Sequence, residues 1–226
     1  MNRRSDPHLD GKTPLPGASS AQHPDQRSQR GLTRRVFALG LPFLAAGCTT
    51  ADYGGVRDGG FIVPPLNVGN MDPGLMRQEV AWNGKEKPGT IVVNVALRRL
   101  YLVEPGGKAL RYGVGVARTS ASNFRGDAVI GRKEKWPHWT PTENMMAAIP
   151  VYRSYAGGMD GGPDNPLGPR ALYLYKGGRD TFFRLHGTTE PETIGSAVSS
   201  GCIRLFNQDI IDLYDRVRVG TRVIVV

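Results

Sequence analysis

The chain is poor in the residues that build metal centres and disulfide frameworks. It has 226 residues, only two cysteines, Cys48 and Cys202, and four histidines, so at most one disulfide can form. After residue 47 the only histidines are His138 and His186, and no carboxylates cluster with them at ligand spacing. No metal site is therefore expected, and no motif calls for a cofactor. Long apolar runs are also missing. The run 36–46 has eleven residues, whereas a membrane-spanning helix needs about 20. There is no glycine-rich phosphate loop, no internal repeat, and no basic tract interleaved with aromatics, so nucleic acid is not an expected partner.

What is present divides into three parts. In residues 1–30, Pro, Ser, Gln and Arg dominate, a composition that cannot bury a core. Thr33-Arg34-Arg35-Val36-Phe37 is a twin-arginine pattern, and the apolar run after it has the length of a signal-peptide core. Residues 1–47 thus read as an export signal with a disordered start. Leu44-Ala45-Ala46-Gly47-Cys48 resembles a lipobox, with Ala45 where Leu is preferred. This makes Cys48 a candidate for lipidation and membrane anchoring, with ordinary signal-peptidase cleavage as the alternative. An exported, periplasmic protein is expected. Without residues 1–47 the chain keeps 22 basic and 17 acidic residues, a modest positive charge suited to an anionic polymer or lipid headgroups.

Residues 48–87 are rich in Gly and Pro and read as a linker or arm, with 77–82 packing on the C-terminal domain. Residues 88–226 are long enough for one domain. Short β-branched and aromatic runs at 90–94 and 99–103, the turn Pro105-Gly106-Gly107, and further runs at 110–116, 147–151, 171–175, 181–185 and 221–226 predict a mainly β sandwich or barrel-like sheet. One helix is expected to begin at Asn207 as N-cap, with Ile210, Leu213, Tyr214 and Val217 on one face. A second, short helix is expected over 193–198.

The chemistry concentrates in two motifs. Cys202 lies in Ser199-Ser200-Gly201-Cys202-Ile203-Arg204-Leu205, sixteen positions after His186 in His186-Gly187-Thr188. A thiol attacks as thiolate, so a working cysteine needs a base or cation to offset its ordinary pKa of about 8.5. His186 is the candidate base, at the end of the apolar approach Phe182-Phe183-Arg184-Leu185. The small residues before Cys202 allow a tight turn whose amides, at Gly201 and Cys202, can face a developing oxyanion. Arg204, two residues after the thiol, is a candidate to stabilise thiolate or bind a substrate carboxylate. A disulfide between Cys48 and Cys202 would abolish this chemistry.

These residues resemble the L,D-transpeptidase catalytic domain (YkuD-like) family, whose motif is a histidine, a spacer of similar length, then a small residue, any residue, and Gly-Cys, often with Ile-Arg. The resemblance runs from about Thr90 to the C-terminus. Asn165-Pro166-Leu167-Gly168 with Arg170, Trp136-Pro137-His138-Trp139 and Gly131-Arg132-Lys133 resemble the subgroup typical of Gram-negative bacteria. Many members carry a second histidine before the Gly-Cys pair, where this chain has Ser200. The resemblance implies that Cys202 is the nucleophile, His186 the proton carrier and the Gly187 carbonyl its orienter, with Thr188 assisting through its hydroxyl. The role of that second histidine is not carried over to Ser200; read as residues, Arg204, Thr188, Ser200, Trp139 and Tyr173 are candidates to contact substrate. The implied substrate is the peptidoglycan stem peptide, cut before its terminal D-alanine through a thioester. The implied acceptor is a second stem, a protein, a free D-amino acid or water.

Overall fold

The computed structural model describes residues 51–226; the expectations for the export signal and for Cys48 fall on residues outside that range. In chain order the strands are β1 (Val56–Asp58), β2 (Phe61–Val63), β3 (Gln78–Ala81), β4 (Ile91–Asn94), β5 (Arg99–Glu104), β6 (Lys108–Gly113), β7 (Val116–Ala117), β8 (Gly126–Lys135), β9 (Arg170–Lys176), β10 (Arg179–His186), β11 (Ala197–Ser199), β12 (Ile203–Arg204) and β13 (Arg222–Val225). Two α-helices join them, α1 (Glu143–Ala148) and α2 (Asn207–Arg216). The architecture is mainly β. Nine strands form one mixed sheet in the order β12-β10-β9-β8-β13-β4-β5-β6-β3, while β1 with β2 and β7 with β11 form two small ribbons.

Period-two alternation makes this sheet. Val223 and Val225 of β13, Ile91 and Val93 of β4, Leu100 and Leu102 of β5, and Leu172 and Leu174 of β9 all enter one core cluster. The residues between them point to the opposite face. Ile210, Leu213 and Val217 bring the apolar stripe of α2 into the same cluster, and each such side chain contributes about 1.5–3 kcal/mol when fully buried. The β5–β6 hairpin closes at Gly106 and Gly107, with φ of 78° and 72°, a left-handed turn that side chains with a Cβ resist.

Three local expectations are corrected. Residues 147–151 are not a strand: they lie in α1 and in a 3₁₀ turn over Pro150–Tyr155. Pro150 cannot donate to a ladder but fits a first helical turn. Residues 193–198 are not a helix either. A 3₁₀ turn over Pro191–Thr193 gives way to β11, which pairs with β7, so tertiary pairing overrides local propensity. Asn207 is the first residue of α2, with Phe206 at the N-cap, because the Asn207 side chain bonds the loop after His186 instead of its own helix.

The segment 51–87 is held against the domain at several points. Strand β3 pairs with β6 through Gln78↔Arg111 to Ala81↔Lys108. The Tyr53 hydroxyl donates to Asp209 at 3.1 Å and accepts from the Arg77 N–H at 2.6 Å. Asp58, at the end of β1, takes a two-point ion pair from Arg170 at 2.5 and 2.8 Å, and its carbonyl accepts from the Trp136 indole N–H at 3.1 Å. Gly and Pro in this stretch therefore shape turns of an ordered segment where composition alone suggested a spacer.

Candidate active site

The two motifs meet on adjacent strands. Parallel pairing of β10 and β12 sets Leu185 beside Ile203 and His186 beside Arg204. Leu185 and Ile203 enter the core. Alternation then turns Arg184, His186, Cys202 and Arg204 to the other face. Cys202 stands one residue before β12, beside Arg184 and two residues along from His186. At a strand spacing of about 4.8 Å and a rise of about 3.3 Å per residue, the Cys202 and His186 backbones lie about 8 Å apart on the diagonal. The far edge of β12 is closed by Gly115, which exchanges both backbone hydrogen bonds with Arg204 at 2.9 Å.

His186 is buried, packed beside the small Ala171 of β9. Its Nδ1 lies 2.6 Å from the Gly187 carbonyl oxygen. A carbonyl only accepts, so Nδ1 carries the proton and Nε2 keeps the lone pair. Burial, helped by the positive charges of Arg204 and Arg184, pushes the imidazole pKa down to about 4 against the opposing pull of the Gly187 and Leu167 carbonyls. Burial likewise pushes the Cys202 thiol up, while the Arg184 backbone N–H and the charges of Arg184 and Arg204 pull it back. At neutral pH the resting pair is thus thiol and neutral imidazole, so proton transfer must accompany attack. Cys202 is partly exposed.

The loop after His186 is anchored from α2. Asn207 Oδ1 accepts the Thr188 N–H at 2.8 Å, which is why Asn207 does not cap its own helix. Thr188 is buried, and its hydroxyl accepts the Glu190 N–H at 3.0 Å, so it braces the loop. Arg204 Nη1 pairs with Glu190 at 2.6 Å. Trp139 is buried, with its ring edge-on to Tyr152 at 5.3 Å, and shares with Tyr152, Tyr155, Thr188, Glu190 and Arg204 the wall of a cavity of about 260 Å³. A second cavity of about 460 Å³ lies against residues 62–66, Trp136, Thr188 and Asn207. Asp164, Thr188 and Thr189 are common to both walls. Cys202 and His186 belong to neither lining.

Other candidates fall differently. The Gly201 N–H is directed at Ser199 Oγ, 3.3 Å away, whereas among the described residues the Cys202 N–H meets no protein acceptor. A Cβ at Gly201 would stand 3.2 Å from the Ser122 carbonyl oxygen and 3.3 Å from the Phe183 ring, so glycine admits the close approach of these segments. Ser200 is exposed at the turn. The Tyr173 hydroxyl donates to Glu134 at 2.6 Å. His138 is half exposed and pairs with Asp160 at 3.2 Å. Asn165 is buried and donates to the carbonyls of Pro137, Met159 and Asp160, which shapes the loop before β9. Among the described residues no cluster of His, Cys, Asp and Glu has the form of a metal site, and no helix is long and apolar enough to cross a membrane. Arg184 and Asn207 join the site without a motif of their own to mark them. The signal for Arg184 in the sequence is its position two residues before His186 on a strand, hence on the same face.

Residues 88–225 match the family model of the L,D-transpeptidase catalytic domain, YkuD. The chain belongs to this L,D-transpeptidase family. It is 39% identical over 142 residues to the probable L,D-transpeptidase ErfK/SrfK of Escherichia coli, a match that covers 59% of this chain and 42% of that protein. It is 33% identical over 197 residues to a putative L,D-transpeptidase from the ATP synthase subunits region of Fuscovulum blasticum, covering 85% of this chain and 96% of that one. A Brucella melitensis crystal structure, described as a probable carnitine operon oxidoreductase, is 48% identical, with a TM-score of 0.47 and coverage of 71% of this chain and 99% of the other. The chain thus spans less than half the length of the E. coli relative.

Proposed function

We propose that the protein is a peptidoglycan L,D-transpeptidase that works through a Cys202 thioester. The observation that carries this reading is the placement of His186 and Cys202 on one face of paired strands, with the histidine tautomer set by the Gly187 carbonyl. In the first step Cys202 Sγ attacks the carbonyl carbon that precedes the terminal D-alanine, and its proton passes to His186 Nε2. The Cys202 N–H is the amide left free to meet the oxyanion; Gly201 serves mainly by letting the turn pack closely. The C–N bond then breaks, His186 returns the proton to the departing amine, and the acyl group remains on sulfur. In the second step an acceptor amine attacks the thioester carbonyl, loses a proton to His186, and the thiol is released. Arg204, tied to Glu190, and Trp139 border the substrate groove. Thr188 shares its wall, whereas Ser200 and Tyr173 lie outside the lining.

The test is incubation of the purified protein with tetrapeptide-stem muropeptides, followed by mass analysis of products and of the protein. A Cys202 acyl adduct, released D-alanine and cross-linked dimer are expected, all lost in Cys202→Ala with the fold retained. A carbapenem should acylate the protein only when Cys202 is intact. Tripeptide stems without dimer would make the protein an L,D-carboxypeptidase on the same site. Peptidoglycan binding with neither adduct nor product would make it an inactive wall-binding protein and overturn the proposal. The same reading places the protein in the periplasm, anchored by lipid on Cys48. Fractionation should then move Cys48→Ser from membranes to the soluble periplasmic fraction.

A further inference from the structure

One charged residue on the catalytic face has no part in the acyl-transfer steps. Arg184 pairs with Tyr173 across β9, and the β10–β12 register carries this row on to Cys202. Its guanidinium makes a two-point pair with Asp180 at 2.8 and 3.1 Å and sits 4.4 Å from the centre of the Tyr173 ring. Arg132 stacks on the same ring at 3.6 Å. Asp180 and Arg184 are four residues apart, a span of about 13 Å in a regular strand. They meet because β10 bulges. Between Asp180↔Tyr175 and Arg184↔Tyr173, β10 takes four steps against two on β9, and Phe182 in the bulge adopts a left-handed φ of 62°. A non-glycine residue in that conformation is strained and persists only where its surroundings hold it. Here the Phe182 N–H is held by Asp180 Oδ1 at 2.8 Å, and the ring is left 81% exposed.

We propose that Arg184 is a positioning cation for the Cys202 thiolate, held on the catalytic face by Asp180 and the Tyr173 ring, and that the bulge at Phe182 exists to set this clamp. The inference rests on the proposed Cys202 thioester mechanism. Ser200, next to the thiol, is neutral. The charged and titratable groups around Cys202 are His186, Arg184 and Asp180 on β10, Arg204 with its partner Glu190, and the Arg132, Glu134 and Tyr173 layer on β8 and β9. Arg204, paired with Glu190, adds a second positive charge. Arg184 is the cation whose own backbone N–H also faces the sulfur, so charge and hydrogen bond act from one residue. When the thiol loses its proton in the attack, a fixed positive charge close by lowers the cost of the anion in a site that otherwise disfavours it.

The test is the pH dependence of Cys202 alkylation by iodoacetamide in the full chain, located by peptide mass mapping so that Cys48 is read separately. Arg184→Gln should move the midpoint upward by about 0.5–1 pH unit, and Arg184→Lys should restore most of it. Asp180→Asn keeps a side-chain oxygen to accept from the Phe182 N–H and from Arg184 while removing a negative charge that opposes the thiolate, and should move the midpoint downward. A role confined to holding the fold would not give opposite shifts. An unchanged midpoint in Arg184→Gln, or shifts of one sign in both variants, overturns the assignment. If Arg184→Gln does not fold by circular dichroism, Arg184→Met is read in its place, and an unchanged midpoint there overturns it. A normal wild-type profile with an insensitive Arg184 leaves the thioester mechanism standing. A wild-type Cys202 that resists alkylation at every pH overturns both.

Discussion

Replacing Asp58 by Asn tests whether the segment before the catalytic domain is part of its fold. The Arg170 side chain is 2% exposed and the Asp58 side chain 16%. In the variant the guanidinium keeps the Pro169 carbonyl at 2.8 Å, the Tyr214 ring at 5.1 Å and one neutral amide oxygen, but loses its counter-charge, and its Nε already has no partner. Removing one partner of such a pair strands a buried charge at a cost of about 3–5 kcal/mol. At about 2–4 °C per kcal/mol for a domain of this size, melting should fall by about 10 °C. The control is built into the molecule. Arg222 and Asp127 form an ion pair as short, but their side chains are 57% and 61% exposed, so Asp127→Asn should cost less than about 1 kcal/mol. Urea and thermal unfolding followed by circular dichroism measure both. The double replacement Asp58→Ala with Arg170→Met should recover most of the loss, because no charge remains to be stranded. Equal, small effects of Asp58→Asn and Asp127→Asn would refute the reasoning and return the segment to a spacer.

Three further outcomes are expected. Buried His186, held down to about 4, binds fewer protons folded than unfolded between about pH 4 and 6.5, so its contribution of about 3 kcal/mol is lost as pH falls through that window. Asp209, pushed up to about 7 by burial, has the opposite slope, destabilising the fold as pH rises from about 4 to 7. Urea midpoints at pH 4.5 and 7 should therefore fall with pH in His186→Gln, rise in Asp209→Asn and differ less in the wild type. Leu213, fully buried under the sheet, should cost about 2–5 kcal/mol when replaced by Ala, read from the same urea curves. Asn207→Ala removes the acceptor of the Thr188 N–H. It should lower kcat for D-alanine release tenfold or more while costing only about 1 kcal/mol in stability.

The legible part of the fold was the part where side-chain alternation is strict. The predicted strands near 90–94, 99–103, 171–175 and 181–185 are β4, β5, β9 and β10 within a residue or two at each end, because alternate residues there enter one core. The longest strand, β8, was not predicted. Its sequence Gly-Asp-Ala-Val-Ile-Gly-Arg-Lys-Glu-Lys is charged where it stacks cations on the tyrosine rings of β9 and α2, contacts that no local window contains. The same holds for 147–151 and 193–198, where a proline turn and a partner strand decided the conformation.

Spacing and residue type on their own marked Cys202 and His186 as candidates, since a thiol after small residues and a histidine at a strand end keep their chemical meaning wherever they stand in the chain. They also marked the class of fold, because a two-residue period is a property of the sequence. Which side chains surround the sulfur was decided only by the tertiary structure. Arg184 reaches the catalytic face through strand register and a bulge, Asn207 reaches the histidine loop from a helix nineteen positions on, and Asp58 reaches Arg170 across 112 residues. Such contacts depend on how strands pair in space, and pairing is set by burial over the whole sheet.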